Sequence, residues 1–178
     1  MEIYLDDISR IGPNKAILEK KLNVKITFKG NEILFEGEAV DEYIAEKVLM
    51  ALNFGFSLKT SLLLKNEENY NFEILNIKDF TKRKDLERIR GRIIGTNGRT
   101  LRTLTELTKC FFELKDNSVG IIGDSGHIKN AQTSLISLIH GTKQANVYSF
   151  LEKHQPKEIV DFSLKEDKRK KRKTKTFK

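Results

Sequence analysis

The chain carries a single cysteine, Cys110, so neither an intrachain disulfide nor a CxxC metal pair can form, and a reducing compartment fits. That cysteine sits in an apolar alternating run and reads as a small core residue rather than a catalytic thiol. No apolar stretch approaches the roughly 20 residues of a membrane span. Glu2, Asp6 and Asp7 stand where a signal peptide would have its basic start, so a cytoplasmic protein without a membrane segment is expected. Catalytic patterns are missing as well. Gly95-Thr96-Asn97-Gly98-Arg99-Thr100 has neither the lysine and spacing of a Walker A loop nor the extra glycine of a dinucleotide fingerprint. His127, His140 and His154 are scattered, no Cys/His/carboxylate cluster has metal spacing, and no acid pair sits in a recognisable catalytic motif. An enzyme is not expected, and neither are a catalytic residue, a metal or a cofactor.

With 178 residues, 38% hydrophobic and 33% charged, the chain can bury a core in one domain or two small ones. Its formal charge of +8 is unevenly spread. From Lys165 to Lys178 there are nine basic and two acidic residues, which account for nearly all of the excess. This stretch, Lys168-Arg169-Lys170-Lys171-Arg172-Lys173 included, has no apolar period; residues 156–178 are expected to form a disordered basic tail with nonspecific attraction for nucleic acid. In the body of the chain, residues 1–58 have seven basic and ten acidic side chains, whereas 87–150 have nine and five. Arg88, Arg90, Arg92, Arg99 and Arg102 crowd the second region. Arginine forks match phosphates and stack on bases; the plainer use of any one of them is to solvate a helix or pair with Glu87 or Glu106.

These arginines surround the run Arg92-Ile93-Ile94-Gly95-Thr96-Asn97-Gly98-Arg99-Thr100, a Gly-x-x-Gly turn feeding a helix. Glycine at both ends permits positive φ and removes the Cβ that would hold a ligand off the backbone, so main-chain N–H groups can lie against a phosphate at the helix N-terminus. Many strand-to-helix turns carry two glycines simply to turn, so the context has to decide. Downstream, Leu101, Leu104 and Leu107 recur at helical spacing, Cys110, Phe112 and Leu114 alternate as in a strand, and Val119 to Gly123 reads as a second strand. This pattern resembles a type I KH domain, the βααββα single-strand RNA-binding module whose loop clamps about four nucleotides. No RNP-like run of alternating aromatics suggests an RRM instead.

A weaker copy of the same landmarks precedes it. Ile11-Gly12 and Asn14 match Ile94-Gly95 and Asn97 at an offset of 83 residues, while Gly37, Ala45 and Gly55 match Gly123, Ala131 and Gly141 at 86. Three residues are therefore missing from the first copy between its loop and its second strand. Its loop, Gly12-Pro13-Asn14-Lys15, loses one N–H to proline and its closing glycine to lysine, so it is expected to keep the fold without the grip. Strands are read at Val24 to Phe28 and Ile33 to Phe35, and a helix at Asp41 to Leu52. The intervening segment is too patterned for a loose linker: Tyr70 to Ile77 alternates like a strand, and a charged helical stretch containing Lys82-Arg83-Lys84 follows. Val147, Phe150, Leu151 and His154 describe a helix docked on the second copy, ended by Pro156.

The expected fold is therefore α+β, two tandem type I KH domains (βααββα), each a three-stranded sheet backed by helices. The division is a degenerate KH domain at 1–58, a structured connector at 59–86, a KH domain with the intact loop and C-terminal helix at 87–155, and the tail. Three segments sharpen the resemblance: Arg88 to Gly95, Ile121-Ile122-Gly123-Asp124, and Gly141 to Glu152. Together they look like the archaeal two-KH protein of small-subunit ribosome assembly, whose eukaryotic relatives are pre-ribosomal RNA-binding partners of the endonuclease that trims the rRNA 3′ end. Thr108-Lys109 departs from the Thr-Gly of many KH domains, and the long tail is not part of the shared pattern. The resemblance implies a non-enzymatic, monomeric factor binding single-stranded RNA near the 3′ end of small-subunit rRNA. The endonuclease and the alpha subunit of archaeal initiation factor two are its implied partners. Gly95, Thr96, Asn97 and Gly98 are expected to contact phosphates, Arg92, Arg99 and Arg102 to supply charge, and Ile94, Leu101 and Phe112 to line a groove for bases. The competing reading is a protein-binding scaffold whose RNA contact is limited to the tail.

Overall fold

Alternating apolar and polar residues in two separate stretches build two three-stranded antiparallel sheets in this computed structural model, which describes residues 1–4, 8–30 and 32–154. The tail expected at 156–178 lies outside the described residues. In the first sheet β1 (Glu2–Tyr4) and β2 (Lys25–Lys29) flank the central β3 (Glu32–Glu36). Ile3, Ile26, Ile33 and Phe35 are its buried side chains, and they meet α1 (Lys15–Leu22) and α2 (Ala39–Phe54) through Leu18, Leu22, Val48, Leu49 and Leu52. Asn23, left-handed at φ 56°, ends α1. Gly55, at φ 134°, ends α2 by donating its amide to the Ala51 and Leu52 carbonyls. Two single-turn helices, α3 (Leu58–Ser61) and α4 (Leu63–Asn66), then carry the chain away, tied back to α2 by Lys65 on Asp41 at 3.3 Å.

The second sheet consists of β4 (Tyr70–Asn76), β5 (Phe111–Lys115) and the central β6 (Ser118–Asp124). β4 falls inside the segment 59–86 read from the sequence as a connector. It pairs with β6 along its whole length, from Tyr70 opposite Asp124 to Asn76 opposite Ser118, so the chain enters the second sheet at residue 70. Its helices are α5 (Leu86–Ile94), α6 (Arg99–Thr108), α7 (Ser125–His140) and α8 (Gln144–Lys153). Asp124 starts α7 by accepting the Gly126 amide at 2.8 Å, and Gly141, at φ 98°, ends it. Ile89, Ile93, Leu104, Ile121, Leu135 and Leu151 anchor this second core.

Two sequence expectations change. The βααββα order needs two helices between the first two strands, yet among the described residues α1 is the one α-helix between β1 and β2. Residues 5–11 are too few to hold a counterpart of the nine-residue α5. Lys82-Arg83-Lys84 is not helical either. Arg83 forks onto the Asp85 carboxylate at 2.9 and 2.8 Å, a local turn that forms just ahead of α5. The hydrogen bond from Arg83 holds the Asp85 carboxyl below its ordinary pKa.

The two sheets are coupled through the face of the second that its helices do not cover. Phe72, Ile122 and Phe111 stand in one cross-strand row there, and Ile74, Gly120 and Glu113 in the next. Phe54 and Phe56 from the end of α2 lie on this face, forming a triangle with Phe72 at centroid separations of 6.1, 6.0 and 5.8 Å. Such pairs contribute about 0.5–1.5 kcal/mol each beyond their buried area. The fit needs Gly120: a Cβ there would stand 2.7 Å from ring carbons of both Phe54 and Phe56. Lys115 on the Asn53 carbonyl at 3.1 Å and Arg10 on the Gly55 carbonyl close the rim. Gly120→Ala is expected to cost about 1–3 kcal/mol by overpacking these rings, seen as a lowered urea midpoint.

Candidate nucleic-acid interface

α5 stops because its last turn runs into a glycine. The Gly95 amide closes the helix on the Gly91 carbonyl at 2.8 Å, and Gly95 then turns to φ 72°, ψ 173°. Thr96–Gly98 make one 3₁₀ turn, with Asn97 left-handed at φ 53° and Gly98 at φ 73°. α6 begins at once, the Arg99 amide donating to the Thr96 carbonyl. The two glycines serve different ends. A Cβ on Gly95 would lie 2.1 Å from Thr100 Oγ1 and 2.8 Å from the Thr100 amide nitrogen, whereas nothing lies within 4 Å of one on Gly98, which is glycine for its φ alone.

Thr96 and Asn97 are exposed, and among the described residues nothing accepts from their amides. Two free N–H groups thus sit beside the N-terminus of a ten-residue helix, the geometry and dipole that favour an anion. The guanidinium groups of Arg99 and Arg102, exposed one turn apart on α6, make no ion pair or hydrogen bond among the described residues. Arg92 is placed differently: its Nη2 donates to the Gly141 carbonyl at 2.9 Å and also to that of Thr142. Arg90 donates to the Asp116 carbonyl at 3.1 Å. Of the sequence-predicted groove residues, Ile94 is half-buried at the end of α5, while Leu101 on α6 and Phe112 on the edge strand β5 are half-buried against the second core.

The face that α6 buries is Thr100, Leu104 and Thr108, with Leu101 and Leu107 on its flanks. Thr100 and Gln144 had no signal in the sequence as parts of the site. Gln144 Nε2 donates to Thr100 Oγ1 at 2.8 Å and to the Arg92 carbonyl at 3.3 Å, and only the three-dimensional approach of α8 reveals it. At the other end of α6, Lys109 takes the left-handed position that glycine often fills, at φ 58°. The turn keeps its shape through the Thr108 hydroxyl, which donates to the Leu104 carbonyl at 2.7 Å and accepts the Cys110 amide at 3.2 Å.

The corresponding loop of the first unit is built otherwise. Gly12–Asn14 form a 3₁₀ turn with no positive φ, and Lys15 lies 3.8 Å from Glu19 and 5.6 Å from the Phe28 ring centroid. Among the described residues no group of three His, Cys, Asp or Glu is placed to hold a metal ion, and no helix is long and apolar enough to cross a membrane. Cys110 is fully buried, its sulfur 2.5 Å from where a Cβ on Gly123 would stand, and burial pushes its thiol up to about 11.

Residues 71–156 match the family model of the eukaryotic-type KH domain, KH domain type I. The crystal structure of Dim2p from Pyrococcus horikoshii OT3 is 30% identical with a TM-score of 0.76, over 86% of this chain and 99% of that one. The complex of a/eIF2alpha, aDim2p and rRNA from the same organism matches at 29% identity and a TM-score of 0.77, over 86% of this chain and 92% of that one. The pre-rRNA-processing protein PNO1 of Saccharomyces cerevisiae is 34% identical over 106 residues, which cover 58% of this chain and 38% of that protein. The chain thus spans between 38% and 55% of the length of the fungal PNO1 relatives it matches.

Two outcomes follow from this geometry. Gly98→Ala should cost about 1–2 kcal/mol for its left-handed φ, and Gly95→Ala about 3 kcal/mol, because backbone has to give way as well; urea unfolding of both variants compares them. The Cys110 thiol is held neutral by the fold, so its contribution is complete below the ordinary thiol value of 9.0 and is lost as pH rises toward about 11. The native protein should resist maleimide at pH 7, label once when unfolded, and lose thermal stability in the alkaline range more steeply than Cys110→Ala.

Proposed function

Because the chain belongs to the Dim2/PNO1 family of KH-domain RNA-binding proteins, whose members bind RNA rather than catalyse a reaction, we propose that it is a ribosome assembly factor holding a single-stranded segment near the 3′ end of small-subunit rRNA. The observation that carries this reading is the exposed left-handed loop with two amides, Thr96 and Asn97, and two cations, Arg99 and Arg102, that have no partner among the described residues. In this reading Gly95 to Gly98 approach phosphates with their backbone. Arg99 and Arg102 neutralise neighbouring phosphates, and bases lie along Ile94, Leu101 and Phe112 between α6 and the edge of β5.

The chain is then two tandem KH units. The second runs from β4 at residue 70 to α8 and grips RNA. The first, ending near Phe56, has given up one helix and the glycine loop and braces the second through the aromatic contact. An archaeal initiation factor two alpha subunit is a fitting partner, since the neighbouring Pyrococcus complex pairs that subunit with Dim2p and rRNA. The 3′-end endonuclease and a monomeric state complete the proposal.

Replacing Thr96 and Asn97 together by aspartate places two negative charges at the phosphate position. Aspartate tolerates the left-handed backbone at 97, so the fold is spared. Affinity for a labelled single strand copying the 3′ end of archaeal small-subunit rRNA should fall by more than about tenfold, or 1.4 kcal/mol, with an unchanged thermal midpoint. Retained affinity in the double variant, with binding abolished by truncation after Leu164, would instead favour a scaffold that touches RNA only through its tail.

A further inference from the structure

The loop holds three left-handed positions in four residues, conformations a free chain leaves readily. What fastens it lies outside the loop, on the helix that follows α7. The carboxamide nitrogen of Gln144, the first residue of α8, has two hydrogens and two acceptors. Thr100 Oγ1, two residues after Gly98, is at 2.8 Å, and the Arg92 carbonyl, three residues before Gly95, is at 3.3 Å. One side chain thus spans both roots of the loop. Thr100, 2% exposed, is the same residue whose hydroxyl fills the space that a Cβ on Gly95 would need, so fixing Thr100 also fixes the first glycine. Arg92 runs the opposite way: its Nη2 holds the Gly141 and Thr142 carbonyls just ahead of α8, and its Nε is buried without a partner. A guanidinium so engaged is facing inward, toward the α7–α8 junction, and not toward a phosphate.

We infer that Gln144, Thr100 and Arg92 are positioning residues that buckle the phosphate-gripping loop to α8, making α8 part of the RNA-binding apparatus without touching RNA. The inference rests on the reading of Gly95 to Gly98 as an RNA clamp. It moves Arg92 from the charge-supplying role expected from the sequence to that of an internal strut, and it assigns Gln144 a role that residue spacing does not reveal. The physical consequence is that affinity depends on the loop being pre-shaped, since ordering it during binding would subtract from the interaction.

The test uses the full chain and the same labelled rRNA 3′-end strand, titrated across a salt series, with amide hydrogen exchange on each free protein. Gln144→Met keeps the side chain's length and removes its donors, Thr100→Val keeps the shape and removes the acceptor, and Arg92→Met removes the fork. Each should weaken binding on the order of tenfold and speed exchange at residues 96–99, while β6 amides stay protected and the slope of log K against log salt stays that of the parent. If Arg92 instead neutralised a phosphate, its replacement would flatten that slope by about 0.7; that flattening, or parental affinity in Gln144→Met and Thr100→Val, would overturn the inference. Failure of the clamp reading shows separately, as undiminished binding by the Thr96/Asn97 double aspartate variant. A clamp that fails there is wrong itself, whereas a clamp that is indifferent to Gln144 holds its own shape unaided.

Discussion

Two phenylalanine rings resting on the bare backbone of Gly120 decide which surfaces of the second sheet remain available. β6 has helices on one side and the Phe54–Phe56 pair on the other, and Val119 to Gly123 are all buried. Neither face of the central strand can therefore receive a ligand. What stays open among the described residues includes the outer edge of β5 and the loop between α5 and α6. The position of the proposed RNA-gripping site follows from this exclusion as much as from the loop's own chemistry. A first unit whose corresponding loop has no positive φ still has a use, because it occupies the face where another molecule could otherwise stack.

Of the four non-glycine residues at positive φ among the described residues, two flank α6. Asn97 before it and Lys109 after it are non-glycine residues in the left-handed region, each costing on the order of 1 kcal/mol. The two ends are compensated differently. Lys109 is followed by a buried hydrogen-bonded turn built on the Thr108 hydroxyl, and that turn exists to end a helix. Asn97 has no such bond among the described residues; in the arrangement we infer, its compensation arrives from α8, far along the chain. Strain of the second kind keeps donors in a shape that the loop would not choose by itself.

Much of this was legible in the residues. Glycine spacing located the loop, because positive φ is a local demand with a local signature. Alternation located the strands from β2 onward but not the three-residue β1; Tyr70–Asn76 was among them, though only its ladder with β6 shows that it belongs to the second sheet. That one α-helix lies between β1 and β2 among the described residues was implicit in arithmetic: seven positions separate Tyr4 from Gly12, fewer than the nine of α5. What could not be read was direction. Five arginines near a glycine loop look alike as letters, yet Arg99 and Arg102 face solvent while Arg90 and Arg92 reach inward to carbonyls of residues 116, 141 and 142. Thr100 and Gln144 are ordinary polar residues whose meaning depends on a hydrogen bond across 44 positions. The aromatic triangle likewise joins Phe54 and Phe56 to Phe72 across a boundary that no periodicity crosses.

The packing of Cys110 under Gly123 reaches beyond this one molecule. Its sulfur occupies the space in which even a methyl group on residue 123 would have to stand, so the two positions share a single volume and cannot both enlarge. Their histories in the family should therefore be epistatic. A lineage that acquires a side chain at the glycine must first have shrunk the residue beneath it, and the reverse order passes through an overfilled core. The lone cysteine fits its place, in this view, because its neighbour lacks a side chain, whatever the reactivity of its thiol.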